Sequence, residues 1–257
     1  MKLLDNYERV IYRKNPLVEV LAQIKFPTSL LIASTLPTQF QQELLDSYPI
    51  FEPQGALHVD IEGGNPNAVM TNQYLFKSGD DRWSVTLASD SLTLSTSDYV
   101  RWEEFSYRLR EIINALLKCY KIGSFSRIGL RYRDIIDPEP LDLLGCAWAE
   151  LITPVLLGIF DAPELGEIVV DHTASAATFA VEDFRVNLQT SFVLNQNENK
   201  AFLIDSDFFQ VAVSTAGVEN AIGVLSRLHT YSGPVFRFCI TEKLHQALGP
   251  EPVRKRD

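Results

Sequence analysis

The sequence predicts an α+β fold: two similar β-α-β4-α-like halves around mainly antiparallel sheet, each with a long packing helix. Three observations carry this. Apolar and polar residues alternate with period two in several stretches, the sign of strands with one dry and one wet face. One long stretch instead repeats at helical spacing. The order of elements then restarts about 108 residues on, judged by Gln23 and Lys25 against Arg131 and Arg133.

The elements follow in order. Pro16–Phe26 reads as a strand, with Val18, Val20, Ala22, Ile24 and Phe26 alternating with Glu19, Gln23 and Lys25, and Pro27 ends it. A short helix spans about Pro37–Ser47, striped by Phe40, Leu44 and Leu45, with Pro37 suited to a first turn. Leu57–Thr96 reads as antiparallel strands. Gly63–Asn67 is a loop, Ser78–Asp81 a tight turn and Ser89–Ser91 a second turn. The clearest helix is Tyr99–Tyr120, where Trp102, Phe105, Leu109, Ile112, Leu116 and Tyr120 form one stripe. Asp98 is placed to cap it, Glu103 and Glu104 suit its positive end, and Gly123 is a natural stop.

The second half opens with a strand, Arg127–Ile136, broken by Asp137-Pro138-Glu139-Pro140. A helix is expected over Leu141–Phe160, with Pro154 kinking or dividing it. Strands follow near Glu167–Val170, Thr178–Ala180, Phe184–Leu194 and Ala201–Val213, with Asn195–Asn199 as a polar hairpin loop. A helix over Val218–Thr230, a segment over Phe236–Thr241 and a short helix close the fold, and Arg254–Arg256 is a charged tail. The halves are residues 1–123 and 124–257, tightly associated and without a linker. They share pattern rather than residue identity. A β-α-β4-α unit in tandem resembles the TATA-box-binding-protein architecture, a likeness of fold that carries no function.

Composition narrows the function classes. The 257 residues are 46% hydrophobic and 22% charged, so a packed core is expected and disorder is not. The formal net charge of −10 makes the chain a poor general binder of nucleic acid or of an anionic membrane. Cys119, Cys146 and Cys239 are far apart and lack metal-ligand spacing, so they read as reduced, buried thiols. No run reaches the ~18 apolar residues of a membrane span, and Met1–Asp5 shows no signal segment. A cytoplasmic location is the expectation.

Two motifs resemble those of a known family. They are Tyr12-Arg13-Lys14-Asn15-Pro16-Leu17-Val18-Glu19-Val20 with Ile24-Lys25-Phe26-Pro27, and Arg127-Ile128-Gly129-Leu130-Arg131-Tyr132-Arg133-Asp134. The stretch from Leu228-His229 to Phe236 fits as well. Together they resemble a sporadically distributed family of uncharacterised prokaryotic proteins of about this length. The resemblance implies no activity. Its patchy distribution implies genes that travel with mobile elements or defence islands.

The chemistry of greatest interest lies in strand Arg127–Ile136. Arg127, Gly129, Arg131 and Arg133 share one face, and Ile128, Leu130, Tyr132 and Ile136 the other. Forked guanidinium groups suit carboxylate or phosphate. Gln23, Lys25 and Glu19 join that face if the first strand pairs nearby, as do Arg185, Asn187 and Gln189 from the second half. The face either binds an anion, a peptide or a nucleic-acid end, or its arginines pair with Asp205, Asp207 and other acids. Asp205 and Asp207 share a strand face, with Asp134 and Asp183 elsewhere. Such carboxylates can hold a divalent ion in a nuclease-type site. The histidines His58, His172, His229 and His245 have no metal-ligand spacing, and His229, at a helix end, reads as a packing or capping residue. No Gly-x-Ser-x-Gly elbow, P-loop or dinucleotide fingerprint is present.

The leading expectation is a non-catalytic binding or adaptor protein without a cofactor. Arg127, Arg131, Arg133, Lys25 and Gln23 would hold a protein partner or anionic ligand. The alternatives are a metal-dependent nuclease or phosphoesterase using Asp205 and Asp207, or an acidic subunit that mimics nucleic acid.

Overall fold

The computed structural model describes residues 7–62, 65–162, 170, 172–211 and 215–252. It is mixed α and β, with a large antiparallel sheet. The chain forms two compact units. One comprises Glu19–Leu130 and Phe209–Ser226, the other Met1–Val18, Arg131–Phe208 and Arg227–Asp257.

In the first unit, β2 (Leu17–Lys25) leads through α1 (Leu30–Ser34) and α2 (Thr38–Leu44) into a meander. Its strands are β3 (Ile50–Glu62), β4 (Asn65–Lys77), β5 (Trp83–Ala88) and β6 (Ser91–Thr96). Hydrogen-bonded neighbours run β3-β4-β5-β6-β2, and the opening residues of β7 (Arg127–Ile136) come next. Register is set by alternation. Val20, Ala22 and Ile24 are buried, and Gln23 stands opposite Thr93 on the wetter face. The long helix α3 (Trp102–Cys119) buries Phe105, Leu109, Ile112, Ile113 and Leu116. Phe105 packs 5.8 Å from the ring of Trp83 on β5, and Phe40 of α2 lies 5.6 Å from Phe76 of β4. Each such aromatic contributes a large buried area and a preferred tilted geometry.

In the second unit, β1 (Val10–Tyr12) pairs with β11 (Pro250–Pro252). The closing residues of β7 are followed in sheet order by β10 (Lys200–Val211), β9 (Phe184–Leu194) and β8 (Ala174–Val181). The dry face is built from Tyr132, Ile136, Val186, Leu188, Phe192, Phe202, Ile204 and Phe208. In both halves of the sequence the opening strand neighbours the last strand of the meander that follows, β2 with β6 and β7 with β10.

Several expected elements differ. The helix over Leu141–Phe160 is instead short 3-10 turns at Glu139–Leu141, Trp148–Glu150 and Gly158–Asp161, with α4 (Pro154–Leu157) between the last two. Asp142 at φ 59° and Gly158 at φ 53° stop helix propagation, and Pro154 supplies no N–H. These turns pack as irregular wedges: Trp148 lies 5.1 Å from Phe192 and Phe160 lies 4.2 Å from it. Conversely, α5 (Val218–Cys239) continues through Pro234 and takes in Phe236–Cys239 of the segment expected over Phe236–Thr241, while Ile240 makes an isolated antiparallel bridge to Ile152. Buried Leu225, Leu228, Val235 and Cys239 hold it in place despite the lost donor. His229 therefore lies inside a helix rather than at its end. The cap of α3 is the extended Arg101 rather than Asp98, whose Oδ2 accepts a hydrogen bond from Arg82 Nη1 at 2.8 Å. The same helix ends at Cys119, with Tyr120 extended, and needs no glycine stop at Gly123. Asn65, Pro66 and Asn67 belong to β4 rather than to a loop. The helix α1, unforeseen, is capped by Ser29, whose Oγ accepts from Ile32 N. A last helix, α6 (Glu242–Ala247), is capped by Thr241. The expected strand residues 167–169 and the tail 254–256 lie outside the described residues.

Candidate functional site

Strand alternation puts Arg127, Gly129, Arg131 and Arg133 on one face of β7. Each compact unit then shows its own constellation. In the second unit, Asp205 of β10 is the organising group. Its side chain is only 7% exposed, and both carboxylate oxygens accept from Arg131. Nε of Arg131 donates to Oδ1 at 2.7 Å, and its Nη2 to Oδ2. Arg133 Nε approaches Oδ2 at 3.8 Å. The forked contact fixes the plane of the Arg131 guanidinium as well as its position. Both arginines stay accessible, with side chains 40% and 38% exposed. Asp207 lies two residues along the same face of β10.

In the first unit, the Arg127 guanidinium lies over the ring of Phe209, 4.6 Å from its centroid, a cation–π contact that orients the cation. Its Nη1 is 3.5 Å from Gln23 Oε1, and Gln23 Nε2 donates to Thr93 Oγ1 at 3.4 Å. Lys25 sits on the same half-buried face of β2, opposite Ser91. On β9, Arg185, Asn187 and Gln189 stand opposite Ala180, Thr178 and Ala176 of β8.

Asp134 departs from the arginine face. It is buried on the dry side of β7, with Tyr132 and Ile136. Burial pushes its carboxyl up to about 8, and the charge of Asp205 adds to the effect. The buried Cys239 thiol is raised by burial first and by Asp134 second, which makes it a poor nucleophile. Tyr12 is pushed up to about 12 by burial, opposed by Arg237 and reinforced by Asp134 and Glu242. Its hydroxyl lies 2.8 Å from His245 Nδ1. His245 is lowered by burial and by Arg237, with Glu242 opposing. Nearby chemistry repeats at His229, whose Nδ1 is 2.8 Å from the Tyr132 hydroxyl. Burial, then the charge of Arg9, pulls His229 down to about 3.

The arginine face and Asp205 are marked in the sequence as a candidate site, whereas Asp134, Tyr12 and His245 carry no assigned role there and Phe209 is not singled out. The signal for Asp134 was present, because it shares parity with Ile128, Leu130, Tyr132 and Ile136. For Phe209 it was the odd position on β10 shared with Asp205 and Asp207.

Among the described residues no group of three or more His, Cys, Asp or Glu side chains could hold a metal ion, and no helix is long and apolar enough to cross a membrane. Comparison with protein-family models gives no match, and none of the curated proteins matches the chain.

Proposed function

We propose that this chain is a non-catalytic binding protein whose β7 face, carrying Arg131 and Arg133 with Arg127 on the same strand, holds a protein partner or ligand through its anionic groups. One observation supports this reading above the others. Asp205, almost fully buried, grips Arg131 and sits beside Arg133, while both arginine side chains stay about two-fifths exposed. A buried carboxylate that positions two accessible cations favours recognition, because the donors are aligned before the partner arrives and less ordering entropy is lost on binding. Gln23 and Lys25 extend the polar face of β2, and Arg127 is held over Phe209.

The test separates positioning from charge. Affinity capture with the tagged chain, followed by mass spectrometry, should yield a stoichiometric partner. Asp205→Asn keeps all three cations and removes the grip, so capture should weaken although the surface becomes more positive. Stronger capture by that variant, with the fold intact by circular dichroism, would mean that bulk charge attracts the partner and that the aligned pair has no role.

A further inference from the structure

Among the described residues, strand β8 (Ala174–Val181) is the outer strand of its sheet, and β9 is its hydrogen-bonded neighbour. The ladder between them runs unbroken from Ala174↔Ser191 to Val181↔Phe184, so no bulge bends the edge away. Ala174, Ser175, Ala176, Ala177, Thr178 and Ala180 are exposed. The eight residues ASAATFAV contain no charge, proline or glycine. An edge strand offers a row of open N–H and C=O groups, and proteins usually defend it with charge, proline or a bulge. The edge strand β3 follows that rule, with Glu52 and Pro53. Strand β8 does not.

We propose that β8 is a self-pairing edge, at which two copies of this chain join through an antiparallel β8–β8 ladder about a two-fold axis. Electrostatics favours a second copy at this place. Each copy carries a formal charge of −10, so like copies repel except where a neutral surface lets them approach. Symmetry constrains the register. In an antiparallel pair, residues directly opposite point to the same face, so a two-fold axis normal to the sheet passes midway between the two copies of one residue near the strand centre. An axis between the two copies of Ala177 sets Ala176 opposite Thr178, Ser175 opposite Phe179 and Ala174 opposite Ala180. No like charges meet, and small side chains allow close approach. The strand has no charged side chain with which to select an acidic or basic peptide. One short ladder falls at the low end of stable interfaces, below about 1,200 Å², so the dimer is a weak one that dissociates on dilution.

The test is sedimentation velocity of the full chain over a concentration series. Its companions are the double variant Ala176→Lys/Thr178→Lys and the neutral variant Ala176→Thr/Thr178→Val. Through the axis proposed, the two lysines face each other. The unsubstituted chain should show a reversible monomer–dimer equilibrium, and so should the neutral variant. The lysine variant should raise the dissociation constant at least about tenfold, with an unchanged melting curve. Hydrogen exchange of the unsubstituted chain, read at amides 174–181, should show protection that grows with concentration. That readout decides the matter even if the lysine variant fails to fold. A chain that stays monomeric throughout overturns the proposal. So does a dimer indifferent to the lysines, absence of concentration-dependent protection at 174–181, or an unrelated extended peptide found on this edge in place of a second copy.

Discussion

Gly129 lies beneath the guanidinium of Arg127, and a Cβ there would collide with Nη1 and come within 3.0 Å of Cζ. The atoms in the way are the far end of a flexible side chain. Gly129→Ala should therefore cost about 1 kcal/mol or less, because Arg127 can swing aside, but it should lose its seat over Phe209. Denaturant melts would show near-native stability, and partner capture would fall in proportion to the weight Arg127 carries. Arg131 and Arg133 differ in the same way. Arg131→Ala leaves the buried Asp205 without its two short contacts and should cost about 1–2 kcal/mol. Arg133→Ala removes a long, half-exposed contact and should cost under about 1 kcal/mol. Equal losses in urea titrations would contradict the reading of Asp205 as the anchor of Arg131. The arginines and Asp205 were legible in sequence because parity along a strand is strict. Which acid would meet which arginine was not, since that depends on how non-consecutive strands line up.

Among elements, the polar hairpin Asn195–Asn199 is tied to the turn after β7 by two carboxylates, Asp137, whose Oδ2 accepts from Asn195 Nδ2 at 3.0 Å, and Glu139. The side-chain amides of Asn195, Asn197 and Asn199 all donate to Glu139, which lowers its pKa below the usual carboxylate value. Glu139→Ala should loosen this hairpin first. Amide exchange should rise at 195–199 while the amides of α3 stay protected, and uniform acceleration would contradict a local role. Strands β7 and β9 were readable to the residue, since alternation and flanking turn residues agree. The stretch Leu141–Phe160 was not. Its apolar residues suggested a helix, but Asp142 and Gly158 adopt positive φ and Trp148 and Phe160 are drawn onto Phe192, so tertiary packing overrides local propensity. The helix expected over Val218–Thr230 departs in the opposite sense, running on through Pro234 to Cys239. Proline marks a probable helix boundary, and here buried neighbours on both sides carry the helix through it.

For the whole molecule, two buried groups set opposing pH dependences. Asp134 has a native pKa of about 8 against an ordinary 3.8. The native chain thus keeps a proton that the unfolded chain has lost, and this contribution to stability falls as pH rises from about 4 to about 8. His229 lies at about 3 against an ordinary 6.5. There the unfolded chain holds the extra proton, and stability falls as pH drops from about 6.5 to about 3. Between about 4 and 6.5 the two slopes cancel. These two groups alone predict a plateau there, a decline above it owed to Asp134 and a decline below it owed to His229. Asp134→Asn should abolish the upper decline and, with nothing left to cancel the slope of His229, turn the plateau into a fall that runs from about pH 6.5 down to about 3, as read by melting temperature against pH. An upper decline that survives in this variant would assign it to another group. The wider account rests on β7 as a recognition strand, and the direct measurement is capture of the partner by the unsubstituted chain beside the variant Arg127→Ala/Arg131→Ala/Arg133→Ala, both with matched circular dichroism. The account predicts a stoichiometric partner with the first and none with the second. An equal yield of the same partner from both would contradict it and leave the arginines as internal ion-pair partners of Asp205.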